Sequence, residues 1–178
     1  MTALVGRVVL SPAAAMTIRV ESARSSDGNE TGGLLLGHIE PDLTAQVRYA
    51  GGPGPAAVRG PAFFLRDLHH AQRTAADTFA RDGSMWIGEW HTHPGAASAP
   101  SHQDLCTYRG FLDDSELGLD AFIAIILTSR IGTWDRPEAH AWICSRRAAE
   151  QVPLLLVPHE HAAPADQNTS LPATRNFR

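Results

Sequence analysis

The sequence predicts a mixed α/β domain, a central mixed β-sheet flanked by helices, and three observations predict it. The 178 residues are 43% hydrophobic and 19% charged, an ordinary globular balance at a length that fits one domain with a sizeable core. Short β-branched or apolar runs of strand length alternate with stretches of helical spacing. Residues 121–128 are nearly all apolar, as a strand covered on both faces must be.

Each element follows in order. Residues 5–10 form a β-branched run and read as a strand. Ser11-Pro12 supplies an N-cap and a proline at the first helical position, opening a helix to about residue 23 with Ala14, Ala15, Ile18 and Ala23 at helical spacing. Residues 25–29 are a turn cluster. Residues 31–39 read as a buried strand whose glycines admit another backbone or a ligand, and 43–49 as its partner across the turn 40–42. Gly51-Gly52-Pro53-Gly54-Pro55 opens a loop expected to run to Pro61 as a surface excursion or flap. Residues 67–81 form a helix ended by Asp82-Gly83, with Leu68, Ala71, Ala75, Thr78 and Phe79 as its apolar stripe. Residues 85–93 form a strand stopped by Pro94, 95–100 a small-residue loop, and 101–111 a short helix. Residues 138–144 alternate as a strand, and 152–157 read as a further one. The domain is expected to span 1–157, and the polar, Pro- and Ala-rich stretch 158–178 to be a flexible tail.

Composition narrows the function. A net charge of -4 argues against a nucleic-acid footprint. No apolar run approaches the roughly 20 residues of a membrane span, and the first apolar stretch is too short for a signal peptide. Two cysteines, Cys106 and Cys144, make no disulfide framework. A cytoplasmic location is the default expectation.

The chemistry concentrates in Trp90-His91-Thr92-His93-Pro94 and Ser101-His102-Gln103-Asp104. Strand side chains at i and i+2 share a face, so His91 and His93 project together. Ser101 is the natural N-cap of the following helix and Asp104 falls in its first turn, where strand end, tight loop and helix start bring the carboxylate back toward the imidazoles. Two histidines and a carboxylate form a catalytic zinc set that leaves a fourth position for water. Singly, each piece is ordinary: a strand H-x-H, a capping box, a strand-ending proline. Their conjunction points to metal. A general base is then needed outside the ligand set. Glu89 shares the strand face of His91 and His93, and Glu30 lies at the mouth of the Gly32-Gly33 strand; spacing does not choose between them.

Glu30-Thr31-Gly32-Gly33-Leu34-Leu35-Leu36-Gly37, His91-Thr92-His93-Pro94 and Ser101-x-x-Asp104 together resemble the JAMM motif of the MPN/JAB metalloproteases, with residues 94–100 supplying the seven positions between the second His and the Ser. Gly88-Glu89-Trp90 is similar to bacterial members especially. The resemblance implies a single MPN/JAB-like domain and a bound zinc ion held by His91, His93 and Asp104. It further implies that Glu30 is the general base, which takes a proton from water and returns it to the leaving amine, and that Ser101 helps hold the oxyanion. Glu89 then becomes a residue acting behind the ligands. The implied activity is that of a zinc isopeptidase or peptidase cutting an amide bond at the C-terminus of a ubiquitin-like or sulfur-carrier protein, with E1/E2-like enzymes as associated partners; the alternative is a non-catalytic MPN scaffold. Only 16 residues separate Asp104 from Ala121, too few for the second zinc-stapled insertion of some polyubiquitin-cleaving relatives.

Overall fold

A computed structural model describes residues 6–95, 97–129 and 133–157. Their elements are β1 (Arg7–Leu10), α1 (Pro12–Ser22), a 3-10 turn (Ala23–Asp27), β2 (Gly32–Ile39), β3 (Thr44–Ala50), β4 (Val58–Gly60), β5 (Phe63–Leu65), α2 (Leu68–Asp82), β6 (Met85–His93), α3 (His102–Asp113), β7 (Phe122–Thr128), β8 (Glu138–Cys144), β9 (Ala149–Val152) and β10 (Leu154–Leu156). The expected mixed α/β architecture is what forms. The expected tail from residue 158 lies outside the described residues. No helix among the described residues is long and apolar enough to cross a membrane.

The main sheet runs β10-β1-β3-β2-β6-β7-β8-β9. Its first and last strands, β10 and β9, are separated in the chain by Pro153 alone. Val152 pairs with Ala141 of β8, whereas Leu154 pairs with Val8 of β1. The sheet therefore curls until its two edges meet. Pro153 fits this switch because it has no N–H to give a ladder, while its carbonyl accepts from Val8 N–H at 2.9 Å. The single strand expected at 152–157 is thus two shorter ones that begin at Ala149 and serve opposite edges.

One face of the sheet is closed over Val8, Leu10, Leu35, Val47, Trp90, Ile123, Ile125, Leu127 and Ile143, with Ala14 and Ile18 of α1 packed into it. The other face carries α2 and α3. Leu34 and Leu36 of β2 pack against Ala71 of α2. Tyr108 and Leu112 of α3 pack on Phe122, Ala124 and Cys144, with the Tyr108 ring stacked 4.7 Å from Phe122. The candidate site residues border a cavity between these two helices.

Two expectations need correction. The 51–61 segment is not irregular throughout: Val58↔Leu65 and Gly60↔Phe63 pair as an antiparallel hairpin with Pro61 and Ala62 at its turn. Gly and Pro are dense only in 51–55; Val58 and Arg59 are free to extend, and Pro61 sits where a strand must end anyway. On α2, Leu68 and Phe79 are exposed rather than buried, while Ala71 and Thr78 face the sheet.

The end of α2 carries a pH-sensitive tie. Asp82 accepts from Ser84 N–H at 3.0 Å, Tyr49 Oη at 3.1 Å and Arg48 at 3.2 Å, joining the helix to β3. The Ser84 contact above all, with those to Tyr49 and Arg48, holds the carboxyl down at about 2 against an ordinary 3.8. A carboxyl depressed in the folded state stabilises above its unfolded value and loses that contribution as pH falls through its folded one. Asp82→Asn is expected to lower stability in urea titrations near neutral pH. The gap to wild type closes as the pH drops from about 4 toward about 2.

Candidate metal centre

The His pair is aimed by a defect in β6. Between Leu35↔Gly88 and Leu36↔Trp86 the register shifts, leaving Ile87 as the extra residue of a β-bulge. Simple alternation would put Trp86 on the same side as Trp90. With the bulge, Trp90 enters the inner core while Trp86 packs outside at 5.0 Å from Phe111 and 5.6 Å from Phe122. Glu89, His91 and His93 share that outer face, bordering one cavity with Trp86. Gly88 at the bulge has no room for a side chain: a Cβ there would stand 2.0 Å from the Ile123 carbonyl oxygen. Gly32, paired with His91, is similarly tight, its Cβ position lying 2.3 Å from the Trp90 carbonyl oxygen.

Asp104 arrives from α3 as expected. Ser101 Oγ accepts the Asp104 N–H at 3.2 Å, and Asp104 Oδ2 accepts the Ser101 N–H at 2.7 Å, a complete capping box. The same Oδ2 lies 3.5 Å from His91 Nε2 and 3.5 Å from His93 Nε2, and the two Nε2 atoms are 2.9 Å apart. The three ligand atoms lie within 4.8 Å of one another. Both imidazoles are buried, at 4% and 7% exposure, so no bulk water separates them.

The donor set fits a cation. His93 Nδ1 lies 2.7 Å from the Ala97 carbonyl, which can only accept, so the ring proton belongs on Nδ1 and Nε2 offers its lone pair. His91 Nδ1 has the Glu89 carboxylate 3.8 Å away and is buried without a hydrogen bond among the described residues. Two lone pairs and a carboxylate oxygen thus converge on one point. The electrostatics agree. Burial pushes the Asp104 carboxyl up, but with the imidazoles protonated at Nε2 the pull of His91 and His93, together with Ser101, outweighs it and holds the group well below the carboxylate range. Burial pushes His93 down, yet Asp104 and the Ala97 carbonyl win and raise it. Both shifts mark a place that favours positive charge.

Glu30 and Ser101 border the same cavity as the His pair and Asp104. Glu30 is half-buried, and burial raises its carboxyl against the opposing pull of His91 and His93. Glu89 is engaged elsewhere: its carboxylate is ion-paired with Arg66, which also lies 5.8 Å over the Trp86 ring. Of the two carboxylates that spacing left open, Glu30 is thus the one without an ion pair among the described residues. Other histidines and cysteines are peripheral: His102 and Cys106 are exposed on α3 with Sγ 3.8 Å from the ring, and Cys144 is buried.

The cavity measures about 840 Å³ and runs from the His pair between α2, α3 and the β4–β5 hairpin. Leu34, Phe63, Leu68, Trp86, Phe111 and Leu117 make much of its wall apolar, which explains the exposed Leu68. Sequence reading missed the contribution of Arg59, Arg66 and the hairpin. Their contacts are long-range, and a lone Arg in or just after a short strand has no periodic signal.

Residues 12–152 match the domain family described as prokaryotic homologs of the JAB domain. A CD-NTase/cGAS isopeptidase of Enterobacter hormaechei is 30% identical over 106 residues, which span 56% of this chain and 55% of that protein. The match thus covers only about half of that relative. A probable metalloprotease of Sinorhizobium fredii is 30% identical over 124 residues, 67% of this chain and 74% of that one. The solution structure of a protein from Desulfitobacterium hafniense superposes with a TM-score of 0.63 at 18% identity, covering 87% of this chain and 97% of that chain, a likeness of fold alone.

Proposed function

The chain belongs to the family of prokaryotic JAB-domain homologs, and from that membership we propose that it is a zinc-dependent isopeptidase or peptidase acting on an amide bond at the C-terminus of a ubiquitin-like or sulfur-carrier protein. Relatives at about 30% identity support a general peptidase function. The observation that carries the reading is the convergence of His91 Nε2, His93 Nε2 and Asp104 Oδ2 beside a half-buried Glu30. The isopeptidase named among the relatives supports a conjugated protein as substrate. Residues 1–157 form the catalytic domain in this reading, and E1/E2-like enzymes supply the conjugate.

In this reading His91, His93 and Asp104 hold zinc, which when bound supplies Lewis acidity toward the scissile carbonyl and acidifies water. Glu30 does the proton work. Its raised carboxyl is a better proton acceptor than an exposed glutamate, and it stands outside the ligand group. It accepts the proton of the attacking water and delivers it to the departing nitrogen. Ser101 need not leave its cap to assist. Its Oγ accepts from Asp104 N–H and keeps its own proton to donate to the developing oxyanion. His93 is oriented through Ala97, and the apolar cavity wall excludes water from the substrate chain.

The test is cleavage of a ubiquitin-like protein fused through its C-terminus to a reporter, with and without a zinc chelator. The expected result is release of the reporter at the fusion junction, abolished by chelation and restored by added zinc. Zinc binding without cleavage of any conjugate would instead favour the scaffold alternative, and cleavage indifferent to chelation would remove the metal from the reading.

A further inference from the structure

Glu30 lies on a stretch without regular structure, between the 3-10 turn and β2. Among the described residues no hydrogen bond fixes its carboxylate, so the side chain takes its position from its backbone. That backbone is anchored on two sides. Toward β6, Thr31 N–H donates to Thr92 Oγ1 at 2.9 Å and Thr92 N–H donates to the Thr31 carbonyl at 2.8 Å, so the residue between the two histidines holds the residue after Glu30. On the other side the anchor is the β4–β5 hairpin, which among the described residues forms a two-stranded sheet of its own. Glu30 N–H donates to the Gly60 carbonyl at 2.8 Å. Arg59 Nε donates to the Glu30 carbonyl at 2.9 Å, its two terminal nitrogens reach the two Asp27 carboxylate oxygens at 3.0 and 3.2 Å, and one of them also reaches the Asn29 carbonyl at 3.2 Å. One guanidinium, 20% exposed, thereby grips the start, middle and end of the loop that leads to Glu30.

We propose that Arg59 is a positioning residue, whose guanidinium fork sets where the Glu30 carboxylate stands relative to His91 and His93. The inference rests on the reading of Glu30 as the proton acceptor. It acts through the peptide carbonyl and not through charge on the carboxylate. A planar fork with donors in three directions is what the arrangement uses, and a lysine ammonium on its flexible stem cannot reproduce it. Because Phe63 and Leu65 of the same hairpin wall the cavity, the element that meets substrate is also the one that holds Glu30.

The test compares the full-length chain with Arg59→Ala and Arg59→Lys, using ubiquitin–aminomethylcoumarin as probe, zinc affinity by competition with a fluorescent chelator, and amide hydrogen exchange at Glu30. A misplacement of about 1 Å costs about 10²-fold in rate, so kcat is expected to fall by that order in both variants. KM and zinc affinity stay at the wild-type level, and Glu30 amide exchange accelerates about tenfold or more. Methylguanidinium added to Arg59→Ala is expected to recover part of kcat, whereas methylammonium is not. Retention of kcat in Arg59→Lys, or loss of zinc affinity together with kcat, would overturn the proposal. If wild type leaves the coumarin probe intact, the peptidase reading fails for that probe while exchange still decides the placement: acceleration in Arg59→Ala supports it, and unchanged exchange overturns it.

Discussion

Glu30→Gln is expected to lower turnover by about 10²–10⁴-fold, the usual worth of a positioned acid–base group, while leaving zinc content at the wild-type level. Glutamine keeps the shape of the side chain and removes its capacity to carry a proton between water and leaving nitrogen. It does not touch the group that would hold the metal, since only His91, His93 and Asp104 converge there among the described residues. Stability should not suffer, because burial raises the Glu30 carboxyl and a neutral amide is easier to cover than a carboxylate. Kinetics on the chelator-sensitive fusion, paired with elemental analysis of the purified variant, separates the two effects. Near-wild-type turnover would transfer the proton role to another group. Glu89 is the alternative on that face, where its carboxylate is engaged with Arg66.

What the sequence disclosed and what it hid follow a physical line. Local periodicity carries information over a few residues, so His91 and His93 on one strand face, Ser101 as a cap and Asp104 in the first helical turn were all legible from the sequence alone. The closure that brings Asp104 back was legible because the loop between strand and helix is short. Glu30 was not settled by spacing, since a residue far upstream meets the site only through strand pairing. Gly32 opposite His91 is that pairing. The bulge at Ile87 left no mark in composition, although it decides which way Trp86 points. The apolar stripe of α2 located the buried face through Ala71 and Thr78 but placed the exposed Phe79 on it as well. Leu68 lies along a cavity wall where a packed core was expected, and an apolar residue at helical spacing reads the same in both settings. Arg59 and Arg66 were invisible for the same reason that Glu30 was ambiguous: their partners are brought together only by the fold.

Asp104→Asn is expected to weaken zinc affinity by more than the roughly 10–100-fold that partners behind the ligands are worth, with little loss of fold. Asp104 holds two roles on one oxygen: Oδ2 accepts the Ser101 N–H at 2.7 Å and stands 3.5 Å from each Nε2. An asparagine oxygen still closes the capping box, so α3 should start where it does now and thermal unfolding should shift little. The negative charge, however, is gone. Two effects then oppose each other at the histidines. Asp104 helps to raise His93, so its removal eases the competition between proton and metal and favours binding. Against that, the site loses its anionic donor, and the two neutral imidazoles alone neither neutralise a divalent cation nor complete its coordination. The second effect dominates, because a proton competes appreciably only near and below the His93 titration, whereas the missing carboxylate is felt at every pH. Chelator competition at two pH values resolves them: the deficit of Asp104→Asn should be large at both and somewhat smaller at the more acidic one. Unchanged affinity would mean that the cation is held without α3, and the capping box would then be the whole of what Asp104 does.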